Sequence, residues 1–191
     1  YCSFKEPDFC YYAKVSINSR LFGFTYLSNE ALLQYDQNIF RHTQAIQGKR
    51  PEKIKWKYFQ YLTLLFAEIY LDRLFRDRNG LLADLNQHVD MFNQEKNDGD
   101  KIAQYDGDDL NKLAFWNATG SGKTLIMHVN ILQYQHYLNL HGRNKELNRI
   151  ILLTPNEGLS RQHLEECSLS GLPARLFDKE ASLYGSSVSQ A

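Results

Sequence analysis

Apolar and polar positions follow one pattern up to about residue 110 and another beyond it. In the first part, residues 53–79 carry apolar side chains every three to five positions and end in arginines before an Asn-Gly pair. This spacing predicts a long helix with a wide apolar face. Residues 81–92 continue in a helical pattern, and the acidic, glycine-bearing stretch 93–109 is typical of a surface loop.

Two further patterns lie nearer the amino end. Residues 10–27 are rich in aromatic and β-branched side chains and have a polar break in the middle, which predicts a short β-hairpin. Residues 44–51 are polar and include glycine and proline, as loops do. Residues 1–109 are therefore predicted to form a mixed, mainly helical amino-terminal region.

From Lys112 onward, short apolar runs alternate with helical patterns. "KLAFW" leads into a glycine-rich stretch, and a helix is predicted over residues 123–140. "RIILLT" reads as a buried strand, "LSRQHLEECSLSG" as a second helix capped by Ser160 and ended by Gly171, and "PARLF" as a third strand. This alternation predicts an α/β fold with a parallel sheet over residues 110–191.

The glycine-rich stretch "NATGSGKT" has the composition of a phosphate-binding loop. Such a loop wraps main-chain N–H groups around a polyphosphate, so glycines are needed where the chain bends, here Gly120 and Gly122. Lys123 would reach the β and γ phosphates, and the hydroxyl of Thr124 would hold Mg²⁺. The strict pattern has glycine at its first position, where this chain has Asn117.

Two motifs together carry a family resemblance. "ATGSGKT" resembles the first motif of superfamily 2 helicases and translocases, and "LLTPNEGLSRQHLEE" looks like their next motif, through Pro155, Leu159 and Gln162. The sequences of the two motifs together are similar to those in the motor subunits of type I and type III restriction enzymes. The resemblance covers residues 112–177, roughly a third of the chain. It implies a RecA-like P-loop domain, ATP and Mg²⁺ as cofactors, and double-stranded DNA as the track.

The resemblance also implies roles for individual residues. Nucleotide binding falls to the loop and the residues that follow it: Thr119, Gly120, Ser121, Gly122, Lys123 and Thr124. Lys123 and Thr124 are the implied catalytic residues, with Thr124 as the Mg²⁺ ligand. The implied DNA-facing residues are Pro155, Asn156, Arg161 and Gln162. Arg161 equally suits a solvated helix face.

An upstream glutamine often reads the adenine edge in this superfamily, next to an aromatic residue. "KYFQYL" offers Phe59 and Gln60 in that arrangement, and a carboxamide can donate to adenine and accept from it at once. The alternative is a polar residue on the exposed flank of the long helix. The sequence leaves both interpretations open.

Several parts of such a motor are missing from the sequence. It contains no acidic D-E-x-[DH] motif, no arginines of a second RecA-like lobe and no paired-acid nuclease signature. We therefore expect an amino-terminal fragment that is inactive alone, from an ATP-dependent parent with a possible endonuclease elsewhere. Two alternatives stay open: another superfamily 2 DNA or RNA helicase, and a module that senses ATP without doing work.

Composition narrows the setting. Lysine plus arginine equals aspartate plus glutamate at 22 each, so any DNA contact must be local. Three scattered cysteines indicate neither a disulfide framework nor a zinc site, and no apolar run is long enough to span a bilayer. The prediction is a cytoplasmic protein without membrane contact. Its expected partners are DNA and the modification or specificity subunits of a restriction complex.

Overall fold

The computed structural model describes residues 27–177, and helix occupies 63% of them. This part of the chain contains five α-helices: α1 (Asn29–Gln47), α2 (Tyr58–Arg76), α3 (Arg78–Gln94), α4 (Lys123–Leu140) and α5 (Glu157–Leu169). Short 3₁₀ turns interrupt the connections at Asp98–Asp100, Asp109–Asn111 and Asn144–Glu146. No helix within residues 27–177 combines the length and apolarity needed to cross a membrane.

The core lies where α1, α2 and α4 pack together. Its buried apolar side chains come from all three helices and from the connection before α2: Leu32, Tyr35, Ile39, Ile46, Trp56, Tyr61, Leu64, Leu65, Ile69, Ile126 and Val129. Each such side chain contributes roughly 1.5–3 kcal/mol through removal from water. This core holds the start of α4 in a fixed position against α2.

A buried polar cluster ties the same three helices together. The Glu68 side chain of α2 is fully buried, and its Oε2 accepts hydrogen bonds from Asn38 Nδ2 (3.1 Å) and Tyr137 Oη (2.7 Å). Gln133 of α4 donates to the carbonyl of Leu64 at 3.0 Å. Burial raises the pKa of Glu68, and the hydrogen bonds oppose that shift.

The single helix predicted over residues 53–79 is wrong at both ends. α2 begins at Tyr58 and ends at Arg76, and a new helix starts at once. Asp77 makes the break, because its carboxylate accepts the N–H of Gly80 at 2.9 Å and so caps α3. A helix over residues 81–92 is confirmed as the middle of α3.

The α/β fold class is also wrong: residues 27–177 contain no strand, so they hold no parallel sheet and no RecA-like domain. The apolar runs at 113–116 and 149–154 are present but lie exposed, with Trp116 102% and Leu153 87% accessible. A strand forms only where a neighbour pairs its main-chain groups, and these runs have no such neighbour here. The third predicted strand, 173–177, is likewise irregular.

Two other predictions reach beyond the described residues. The β-hairpin over residues 10–27 lies outside them except for Leu27. The end of the region 110–191, from residue 178 onward, also lies outside them.

The two helices predicted in the second part of the chain are present. The helix over residues 123–140 is confirmed as α4. The second helix is confirmed as α5, but Asn156 caps it, accepting the N–H of Leu159 at 2.9 Å, instead of Ser160.

Candidate functional site

The glycine loop, residues 117–122, leads directly into the first turn of α4. Gly120 and Gly122 have φ of +74° and +78°, a left-handed conformation that L side chains rarely adopt. Between them the N–H of Ser121 donates to the carbonyl of Ala118 at 3.3 Å. The two glycines therefore let the chain turn tightly and enter α4 without a side-chain cap.

Main-chain donors are left open at this turn. Four main-chain N–H groups at this turn have no hydrogen-bond acceptor among residues 27–177: those of Gly120, Gly122, Lys123 and Thr124. The Ser121 hydroxyl is buried, 7% exposed, and also has no partner among these residues. Because the start of a helix carries partial positive charge, the whole group favours an anion.

The Lys123 side chain is folded back over the loop. Its Nζ donates to the carbonyl oxygens of Asn117 at 3.1 Å and Ala118 at 3.0 Å. The side chain is exposed, so it can leave these carbonyls without unpacking the core. A positive charge is thus held beside the open main-chain donors.

Gln60 lies beneath the loop, on the first turn of α2. Its Nε2 donates to the Ser121 carbonyl at 2.7 Å, and its Oε1 accepts the N–H of Lys57 at 2.7 Å. The exposed-flank interpretation is wrong, because Gln60 is only 9% exposed. Both ends of the carboxamide are bound within the chain, so in this conformation Gln60 braces the loop.

A cavity of about 650 Å³ adjoins the loop on the side of Thr124. Lys123 and Thr124 line one end, and apolar side chains of α4 such as Ile126 and Met127 form a wall. A Cβ built on Gly120 would meet no atom within 4 Å. The loop therefore has room for a bound group beside Gly120, and the Lys123 side chain that lies over the loop is exposed.

The predicted DNA-facing residues lie around the start of α5. Pro155 and Gln162 are exposed, and the Asn156 side chain is engaged as the helix cap. Arg161 pairs with Glu157 at 2.6 Å, and α5 as a whole carries three glutamates and one arginine. The helix charge therefore does not by itself attract a phosphate backbone.

A buried cluster that sequence reasoning missed connects α4 to α5. His128 Nδ1 lies 2.9 Å from Ser170 Oγ, and its Nε2 lies 3.6 Å from Cys167 Sγ. Arg50 Nη2 donates to Glu166 Oε2 at 2.7 Å and to Ser170 Oγ at 2.9 Å. Burial lowers the pKa of His128. The cluster fixes α5 against the helix that begins at the glycine loop.

The chain matches no protein-family model, no curated protein and no solved structure. Within residues 27–177, no group of three or more His, Cys, Asp or Glu side chains is arranged to hold a metal ion. What the glycine loop binds is therefore inferred from its own geometry and chemistry.

Proposed function

We propose that the glycine loop and the first turn of α4 bind the polyphosphate of ATP. The observation that carries the proposal is the set of unpaired N–H groups at the positive end of α4, which belong to two left-handed glycines and to the first two residues of the helix. Phosphate oxygens would accept these hydrogen bonds at little cost, because no existing bond has to be broken. Lys123 would exchange the carbonyls of Asn117 and Ala118 for phosphate oxygens.

Mg²⁺ fits the same position through Thr124. Thr124 lies in the first turn of α4 and lines the adjoining cavity, where its hydroxyl would contribute one oxygen ligand. Mg²⁺ prefers oxygen ligands and usually takes most of them from phosphates and water, which suits a site with a single protein hydroxyl. When bound, the ion neutralises phosphate charge. Ser121 and the main-chain donors hold the nucleotide, and Lys123 balances its remaining charge.

The wider assignment is to the motor subunit of a type I or type III restriction enzyme that moves along double-stranded DNA. It is supported by the sequences of the two motifs in residues 112–177 alone, because the described residues contain no β-sheet. Under this proposal the partners are DNA and the modification or specificity subunits, and the setting is the cytoplasm. The sequence lacks the acidic Mg²⁺ motif, so this chain alone would bind ATP without hydrolysing it.

Lys123→Ala is expected to weaken binding of Mg²⁺ and ATP by about 10-fold to 100-fold, because a charged hydrogen bond contributes about 1.5–3 kcal/mol. Titration calorimetry on the 191-residue chain measures this. Lys112→Ala is the matched control, since Lys112 is 76% exposed and pairs only with Asp109 among the described residues. In the intact gene product, linear duplex DNA should stimulate ATP hydrolysis, and Lys123→Ala should abolish that hydrolysis.

Two results would contradict these proposals separately. Equal ATP affinity in the original chain and in Lys123→Ala, or no ATP binding by the original chain, rules out the glycine loop as the ATP site. ATP binding with hydrolysis that ignores DNA removes the translocase assignment and favours an ATP-sensing module.

Gln60→Ala distinguishes a brace from a reader of adenine. Because Gln60 Nε2 bonds the Ser121 carbonyl, its loss should loosen the loop and reduce affinity for ATP and for inorganic pyrophosphate by the same factor, about 2-fold to 10-fold. Fluorescence competition with the two ligands measures this. A loss confined to ATP would show that Gln60 recognises the base instead.

A further inference from the structure

Two asparagines of α3 hold an extended stretch of the chain by its main chain. We call residues 101–106 the strap. Asn86 donates from Nδ2 to the Tyr105 carbonyl (3.0 Å) and accepts the Tyr105 N–H at Oδ1 (2.7 Å). Asn93 does the same for Ile102, donating to its carbonyl at 2.8 Å and accepting its N–H at 3.0 Å. Each carboxamide thus binds one residue as a neighbouring strand would.

The spacings of the two partners match. Asn86 and Asn93 are seven residues apart on a helix, a distance of about 10.5 Å at 1.5 Å per residue. Ile102 and Tyr105 are three residues apart, about 10 Å in extended chain. Ile102 and Tyr105 stay 45% and 44% exposed, so α3 holds these two residues by their main-chain groups. Any extended segment without proline at these two positions offers the same groups.

Charge around the strap favours a different occupant. Between the two asparagines, the Asp90 carboxylate accepts a hydrogen bond from the neutral amide of Gln104 at 2.8 Å. An ammonium or guanidinium group at this position would form a stronger, charge-assisted bond. Residues 78–111 carry three Lys or Arg and eight Asp or Glu. The negative charge of this region attracts a basic segment and repels nucleic acid.

We propose that α3 is a docking site for an extended, basic peptide segment of a protein partner, and that the strap fills the site as a weaker internal ligand. The partner segment would pair its main chain with Asn86 and Asn93 and place a lysine or arginine against Asp90. The bonds that hold the strap are made by exposed groups, so exchange requires no disruption of the α1, α2 and α4 core.

The test uses the full chain with its strap opened by I102P and Y105P, which remove both N–H groups that the asparagines accept. The probes are two capped hexapeptides, the strap sequence KIAQYD and its variant KIAKYD with lysine in place of Gln104. The lysine peptide is expected to bind at least fivefold more tightly, measured by fluorescence anisotropy. Adding N86A and N93A should reduce its affinity at least tenfold, whereas N79A, an exposed asparagine on the same helix, should not.

Amide exchange on the unaltered chain provides a second readout that does not depend on the proline variant folding. Saturating KIAKYD should accelerate hydrogen exchange at Ile102 and Tyr105, because the peptide displaces the strap. The proposal is overturned if the peptide leaves that exchange unchanged, if both peptides bind equally, or if N86A and N93A bind as tightly as the original asparagines.

Discussion

Asp36→Asn will stabilise the protein at pH 8.5 by about 3 kcal/mol more than it does at pH 4.5. Asp36 lies on α1 and is 3% exposed, and neither carboxylate oxygen has a hydrogen-bond partner among residues 27–177. Burial raises the pKa of its carboxyl group from 3.8 to about 7. The folded protein therefore favours the neutral form, and the unfolded chain is already ionised at pH 5.

The sign follows from the raised pKa. The favourable contribution of Asp36 is complete below pH 3.8 and is lost as the pH rises through about 7, where the folded protein must ionise a buried group. Asparagine has nearly the same shape and cannot ionise, so the variant escapes this loss. Urea unfolding of both proteins at pH 4.5 and 8.5 measures the difference, and other titrating groups cancel because both proteins contain them.

Asp98→Asn is the control for this prediction. Asp98 is 95% exposed and pairs with Lys101, so its replacement should change the free energy of unfolding by less than about 0.5 kcal/mol at either pH. If Asp36→Asn and the original chain lose stability in parallel between pH 4.5 and 8.5, then Asp36 is not a buried acid of raised pKa.

The helices were predictable where one apolar face dominates and were missed where polar groups are buried. α4 is recovered over its full predicted length, Lys123–Leu140, because glycine conformations at its start and after its end are local signals. α1 was not predicted, since Asp36, Asn38 and His42 interrupt its buried face. Their burial depends on α2 and α4, which no local pattern reveals.

The predicted strands failed for the opposite reason. "KLAFW" and "RIILLT" have the composition of buried strands, but a strand exists only if another segment pairs with its main chain. An apolar composition shows that a segment favours burial, but it does not show whether a neighbouring strand is present to pair with it. Residues 149–154 have the apolar composition, and no strand pairs with them in the described part of the chain.

The candidate site divides along the same line. The glycine loop was predictable because its turn, its lysine and the start of α4 lie within eight residues. The contact between Gln60 and the Ser121 carbonyl joins residues 61 positions apart, and the bond between His128 and Ser170 joins residues 42 apart. Sequence reasoning selected Gln60 for its chemistry, but only the packing of α2 beside the loop shows what its amide contacts.

Gly122→Ala is expected to reduce affinity for Mg²⁺ and ATP by about 10-fold to 400-fold. The left-handed φ of +78° costs a residue with a side chain about 1–2 kcal/mol. The new Cβ would also lie 2.6 Å from Gln60 Nε2, so the bond that braces the Ser121 carbonyl must break, at about 0.5–1.5 kcal/mol. Together these costs amount to about 1.5–3.5 kcal/mol, which gives the stated range.

Gly120→Ala separates the two costs, because Gly120 has a similar φ of +74° but open space around its Cβ position. Gly120→Ala should lose less affinity than Gly122→Ala, and the difference should equal the cost of breaking the bond between Gln60 and the Ser121 carbonyl. In the background of Gln60→Ala the contact no longer exists, so the two glycine variants should then weaken binding almost equally. If Gly122→Ala is as harmful without Gln60 as with it, the brace plays no part in forming the phosphate site and left-handed strain alone accounts for the loss.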